Sequence, residues 1–193
     1  MFSKQLLGGI ASVVTLLSYV PYIKNILRGK TKPHMFSWFV WSMLAGIAFG
    51  GQIVGGSGPG AWLMGIISFM CFTIFLLSLK KGTKDIQVID WVSLGGALLA
   101  MIMWIVTKTP LLSVILITAT DILAFFPTIR KSFSLPYEET ILTYLINTLK
   151  FILGILATNN YSVITVLYPI YLIFANGLFV LYLHIRRKQI GLI

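Results

Sequence analysis

The sequence predicts an all-α integral membrane protein with seven transmembrane helices, and three observations support this prediction. First, 58% of its 193 residues are hydrophobic and only 10% are charged, with a mean hydropathy of +0.92, whereas soluble domains carry about 25% charged residues. Second, apolar runs of about 20 residues, the length of a bilayer-spanning helix, recur along the chain. Third, the cations gather in every second gap between these runs.

Each predicted span is an apolar run that ends at turn residues or charges. The first ends before Arg28, the second begins after Pro33, and a glycine-rich turn separates the second from the third. The third ends at Lys80, the fourth begins near Asp90, and Pro110 opens the fifth. A short polar stretch separates the last two. The predicted ranges are 5–27, 35–55, 60–79, 88–107, 110–130, 140–158 and 162–184.

The distribution of charge predicts the orientation of the spans. Twelve of the 15 lysines and arginines lie in the first, third and fifth loops, at the helix ends beside them, and in the C-terminal tail. Because cytoplasmic loops are enriched in Lys and Arg, this side is predicted to be cytoplasmic, with the N-terminus outside and the C-terminus inside. The net charge of +10 is expected to face the anionic lipid of a plasma (inner) membrane, and no nucleic-acid partner is predicted.

The chain also contains an internal repeat. The segment Pro21-Tyr-Ile-Lys24 matches Pro127-Thr-Ile-Arg130, which lies 106 residues further on, and a second proline follows each copy. Residues 1–81 are therefore predicted to form a first triple-helix bundle, residues 82–109 a linker inversion helix, and residues 110–193 a second bundle with the cytoplasmic tail. The single linker helix is needed because three spans reverse the chain direction, and it leaves the two repeats parallel.

These features resemble the SWEET and PQ-loop membrane proteins: a proline in the first helix of each triplet, a basic loop, and Ser37 or Thr140 opening the next helix. The Pro-Gln pair of that family is here Pro21-Tyr22 and Pro127-Thr128. The resemblance implies alternating-access transport of a small polar solute, most simply facilitated diffusion of a sugar-like molecule. Two alternatives are a proton-coupled carrier of an amino-acid-like or charged metabolite that uses Asp121, and a non-transporting cargo receptor on the same scaffold.

Polar residues inside the spans are the candidate substrate site, because an isolated charge at the bilayer centre costs about 2.5–3.5 kcal/mol. Asp121 lies 11 residues into the fifth span and Lys150 ten residues into the sixth, so both are near mid-depth. We expect them either to neutralise each other as a structural pair or to face a cavity, where they bind substrate or relay a proton. Asn147 lies one helical turn from Lys150 and shares its face.

The repeat adds further candidate residues. In the resembled family, asparagines in the third helix of each triplet line the solute pocket, which implies a solute-binding role for Asn176 and places Cys71 at the matching position. An interhelical hydrogen bond is the structural alternative for Asn176. Trp41 and Tyr144 occupy equivalent positions in the second helices, and they are predicted to stack on a solute ring or to narrow an inner gate.

Two prolines are candidate gate hinges. Proline lacks an amide hydrogen and clashes with the carbonyl group four residues earlier, so Pro21 and Pro127 should each interrupt a helix. Their symmetric placement favours a hinge over the alternative, a static kink.

No catalytic, metal or cofactor role is predicted. The single cysteine and two distant histidines form no metal-ligand cluster, and no nucleophile–base arrangement suggests an enzyme. The predicted partners are a small polar solute, the lipid bilayer and, in the coupled alternative, protons; homo-oligomerisation is left open.

Overall fold

The computed structural model describes residues 3–29, 33, 35–82, 87–134, 136–139 and 141–191. These residues form seven α-helices and two short 3-10 turns, Gly58–Ala61 and Pro136–Glu138, without a β-strand. The all-helical prediction is confirmed, and each predicted span corresponds to one helix. The helices are α1 (Lys4–Leu27), α2 (Met35–Val54), α3 (Trp62–Lys81), α4 (Val88–Thr107), α5 (Pro110–Ser134), α6 (Ile141–Leu156) and α7 (Val163–Ile190).

The helix ends follow local capping signals. The hydroxyl of Ser3 accepts a hydrogen bond from the backbone N–H of Leu6 and so caps α1. Ser162 and Thr165 form a reciprocal capping box at the start of α7. After α1 the chain turns at Gly29, whose φ of 72° favours glycine. The last helix ends six residues later than predicted, because it continues past its apolar part into the basic tail as far as Ile190.

Four of the described helices are long and apolar enough to cross a membrane, namely α1, α2, α3 with its preceding 3-10 turn, and α7. The other three contain shorter apolar stretches at Leu94–Thr107, Pro110–Phe125 and Ile141–Leu156. Large apolar side chains also lie on the outside of the bundle; Phe69 is 68% and Ile105 69% exposed. Apolar surface of this extent is typical of a protein surrounded by lipid, which is consistent with a helical membrane protein.

The helices pack in a regular order. Helix α3 contacts α1 and α2, while α7 contacts α5 and α6. Between these two groups, α1 packs against α6 and α2 against α5, and α4 lies against α5 and α2. The buried core lies where the groups meet and includes Leu44, Met64, Ile117 and Phe151.

One end of the bundle is joined by hydrogen bonds between distant loops, which we call the loop contact (residues 55–57 with 158–160). The amide N–H of Asn159 donates to the carbonyl of Ser57 over 2.9 Å, and the side-chain amide of Asn160 donates to the carbonyl of Gly55 over 2.9 Å. The hydroxyls of Ser57 and Thr158 are 3.2 Å apart and buried. The ammonium group of Lys4 donates to the carbonyl of Thr158 over 2.7 Å.

At the opposite end, cations bind the last carbonyl groups of two helices. The ammonium group of Lys81 donates to the carbonyl of Leu27 over 2.8 Å, and the guanidinium of Arg186 donates to the carbonyl of Phe133 over 2.7 Å. Cations stabilise helix C-termini because the final carbonyls lack partners and the helix dipole is negative there.

Candidate functional site

Asp121 is buried in the middle of α5, with 3% of its surface exposed. The indole N–H of Trp41, on α2, and the hydroxyls of Tyr168 and Tyr171, on α7, lie around its carboxyl group and interact with it. A buried carboxylate needs such donors because the apolar interior cannot replace its lost hydration. Asp121 is therefore surrounded by neutral donors from two other helices.

Lys150, on α6, is the most completely buried charge among the described side chains, with 1% of its surface exposed. Its ammonium nitrogen lies 5.0 Å from the ring centroid of Tyr19 on α1 and 5.5 Å from that of Phe151. Cys71 on α3 also lies within electrostatic range of this ammonium group. Aromatic faces attract cations through the ring quadrupole, so α1 and α6 together form an aromatic surrounding for this ammonium group.

Asp121 and Lys150 do not form an ion pair. Neither side chain is among the interacting partners of the other, although Cys71 interacts electrostatically with both. The thiol of Cys71 lies 3.7 Å from the hydroxyl of Tyr19. The predicted alternative of a structural ion pair between Asp121 and Lys150 therefore does not apply to this structure, because each charged group lies beside other side chains.

These residues make up one buried group, which we call the polar cluster. Its described members come from α1, α2, α3, α5, α6 and α7. Its members are Tyr19 (α1), Trp41 (α2), Cys71 (α3), Asp121 (α5), Lys150 (α6), and Tyr168 and Tyr171 (α7).

Asn147 and Asn176, both predicted site residues, are brought together by the fold. The side-chain amide of Asn147 donates to the side-chain oxygen of Asn176 over 3.1 Å, and the amide of Asn176 donates to the carbonyl of Leu172 over 2.7 Å. This is the interhelical hydrogen bond named as the structural alternative. Asn147 lies one turn from Lys150 on the same helix, so the asparagine pair borders the polar cluster.

Trp41 and Tyr144 do not share one site. Trp41 lies beside Asp121 and makes a perpendicular ring contact with Trp38 at 5.3 Å. The hydroxyl of Tyr144 donates to the carboxylate of Glu139 over 2.8 Å, and its ring packs edge-on against Phe179 at 4.5 Å. Tyr144 thus belongs to an aromatic group nearer the start of α6.

The two candidate hinge prolines lie within continuous helices. Helix α1 runs through Pro21, whose side chain is exposed, and the backbone of α5 runs through Pro127. The side chain of Pro127 and the residue Thr140 lie outside the described part of the structure. Pro21 is not a member of the polar cluster, so a hinge role for it would act through helix movement rather than through contact with solute.

Sequence reasoning missed the tyrosines of the polar cluster. Tyr168 and Tyr171 are three residues apart on α7, so the two lie on one helical face. That spacing was a usable signal. No sequence spacing identifies Tyr19 in this way, because its partner Lys150 lies on α6, which is far from α1 in the sequence.

No group of three or more potential metal ligands occurs among the described residues. A surface cavity of about 350 Å³ lies along α3, away from the polar cluster, and is lined by Thr73, Leu76, Leu77, Lys80 and Lys81. Comparison with protein-family models, curated proteins and solved structures finds no match to this chain.

Proposed function

We propose that this chain is an alternating-access membrane transporter of a small polar solute. In this proposal seven spans form two parallel triple-helix repeats, α1–α3 and α5–α7, and α4 is the inverting linker. The N-terminus is outside and the C-terminus is cytoplasmic.

Helix contacts support the repeat. In the first triplet α3 packs against α1 and α2, and in the second α7 packs in the same way against α5 and α6. The two sets of contacts correspond when α1, α2 and α3 are exchanged with α5, α6 and α7. The same exchange converts the α1–α6 contact into the α2–α5 contact. An approximate two-fold axis between the triplets would produce this pattern, whereas unrelated helices have no reason to follow it.

The basic end of the bundle supports the repeat independently. Lys81 and Arg186 differ by 105 positions, and the carbonyls that they bind, those of Leu27 and Phe133, differ by 106. The same cation-to-carbonyl bond thus recurs at equivalent points of each triplet. Placing this end in the cytoplasm agrees with the enrichment of Lys and Arg in cytoplasmic segments.

The observation that carries the proposal is the polar cluster itself. Each of the six triplet helices contributes a side chain to it. Its two charged members, Asp121 and Lys150, are buried and unpaired with each other. Unpaired charges inside a membrane bundle are expensive, and in transporters they mark substrate and ion sites near the interface between repeats.

The loop contact supplies a gate for such a site. Its hydrogen bonds join the α2–α3 connection to the α6–α7 connection, which are equivalent parts of the two repeats. This end is therefore closed in the structure, and a transport cycle requires these bonds to break when the outer side opens. Pro21 and Pro127 are the proposed hinges for the movement.

The test is exchange of solute by purified protein in proteoliposomes. Sugars, amino acids and vitamins are first screened by their effect on thermal unfolding, and solutes that shift it are then tested for counterflow. We expect one chemical class of solute both to shift thermal unfolding and to show counterflow. Asn176→Ala should weaken the thermal shift and the counterflow. Asn25→Ala, the same change at the end of α1, should leave both effects unaltered. Exchange no faster than in protein-free liposomes for every class would refute transport.

A proton-coupled mechanism is the second candidate, and the setting of Asp121 favours it. The carboxyl group is buried among neutral donors, so it could take up a proton without breaking an ion pair. Accumulation driven by an imposed pH gradient, and lost in Asp121→Asn, would support coupling; equilibration independent of the gradient would support facilitated diffusion.

A further inference from the structure

Among the side chains that the structure describes, no carboxylate forms an ion pair with the ammonium group of Lys150. A buried ammonium without an anionic partner is costly, because the protein interior does not replace its hydration. Two aromatic rings and a thiol surround it, and these compensate the charge only in part. The described side chains around Lys150 therefore compensate its charge only in part.

The carboxylates whose side chains the structure describes are engaged elsewhere. Asp121 interacts with Trp41, Tyr168 and Tyr171, and the carboxylate of Glu139 accepts a hydrogen bond from Tyr144. Neither is an interacting partner of Lys150.

The position of Lys150 also separates it from lipid. Its nitrogen lies against the ring of Tyr19, which belongs to the other triplet, so it faces the interface between the repeats. A lysine at a helix end can extend its ammonium group to the lipid headgroups, but Lys150 is in the middle of α6 and 1% exposed. The missing negative charge must come from within the bundle.

We propose that the solute is a small organic anion, such as a carboxylate, and that Lys150 is the residue that binds its negative group. This inference rests on the proposed transport function and narrows it to a substrate class. An uncharged sugar would leave the ammonium group compensated only by the aromatic rings beside it. An anion would form a charge-assisted hydrogen bond with it instead.

Cys71 provides a native reporter for this proposal. It is the single cysteine of the chain, is buried, and interacts electrostatically with Lys150. A thiol-specific reagent reaches it only when the site opens, so the rate of modification reports both access and local charge. Three methanethiosulfonates of similar size serve as probes: the anionic 2-sulfonatoethyl, the neutral 2-hydroxyethyl and the cationic 2-(trimethylammonio)ethyl compounds.

Each rate is measured on the full-length protein in proteoliposomes and divided by the rate of the same reagent with free 2-mercaptoethanol. We expect the anionic reagent to react about tenfold faster than the cationic one, because a cation in a low-dielectric cleft concentrates anions. Lys150→Gln should abolish this preference. Lys150→Arg keeps the charge and should retain it, and Lys80→Gln, which removes an exposed cation of α3, should not alter it.

The outcomes separate this proposal from the transport function. Equal normalised rates for all three reagents in the wild type, or a preference that survives Lys150→Gln, would overturn the anion assignment while leaving an accessible transport site. Absence of any modification would overturn both proposals, because no solute could then reach the cluster. If the Lys150→Gln variant fails to fold, equal normalised rates in the wild type still overturn the anion assignment, and Lys150→Met offers a second neutral variant.

Discussion

Replacing Lys150 with methionine is expected to stabilise the protein while abolishing solute binding. A lysine near the bilayer centre costs about 2.5–3.5 kcal/mol, and its contacts with the rings of Tyr19 and Phe151 offset about 2 kcal/mol of this. Methionine has a similar length without the charge, so the variant should gain about 1 kcal/mol. For a chain of this size that gain raises Tm by about 2–4 °C.

The sign of the change separates a functional lysine from a structural one. Breaking a buried ion pair by removing one partner destabilises a protein by about 3–5 kcal/mol, which would lower Tm by many degrees. The measurement is the fraction of monodisperse protein remaining after heating in detergent, determined by size-exclusion chromatography. Lys80→Met is the matched control, since Lys80 is exposed at the end of α3. A marked fall in the Tm of Lys150→Met would refute the reasoning.

Three further predictions follow from other parts of the bundle. Asp121→Asn keeps an acceptor for its neutral donors but removes the charge, so pH-driven accumulation should disappear in an uptake assay while gradient-independent exchange persists. Ser57→Ala removes the buried hydroxyl contact with Thr158. Because one hydrogen bond contributes about 1 kcal/mol, the outer side should open about fivefold more often. This opening is measured as faster modification of Cys71 by a reagent added outside sealed vesicles. Pro127→Ala should lower flux without reducing membrane insertion.

Each of these predictions has a result that would contradict it. Retained pH-driven uptake in Asp121→Asn would exclude this residue from coupling. An unchanged modification rate in Ser57→Ala would mean that the loop contact does not limit opening; Ser12→Ala, whose hydroxyl bonds only within α1, is the control. Unchanged flux in Pro21→Ala, in Pro127→Ala and in the double variant would remove the hinge hypothesis.

The helices were predictable because their signals are local. Apolar runs, capping residues and charged ends act over a few residues, and the fourth span was placed at its observed bounds, Val88–Thr107. The depth of Asp121 and Lys150 also follows from counting residues along a helix. Both were expected to be buried polar residues, and both are.

The partners of these residues could not be predicted in the same way. Asp121 and Lys150 lie at similar depths on consecutive helices, which favoured a pair, yet Asp121 lies beside α2 and α7 while Lys150 meets α1. Which neighbour a side chain reaches depends on the rotation of each helix and on packing between triplets. The place of Tyr19 in the polar cluster could not be predicted for the same reason.

The sequence by itself determined that the chain is helical and apolar, which segments form the helices to within a few residues at most ends, and that Asp121 and Lys150 lie at mid-depth in their helices. Only the tertiary structure decided that Lys150 faces aromatic rings rather than Asp121, and that the loops at residues 55–57 and 158–160 are joined. The physical reason is that helix formation depends on hydrogen bonds and periodicity within one segment. The contacts of the polar cluster instead depend on how six separately stable helices pack together.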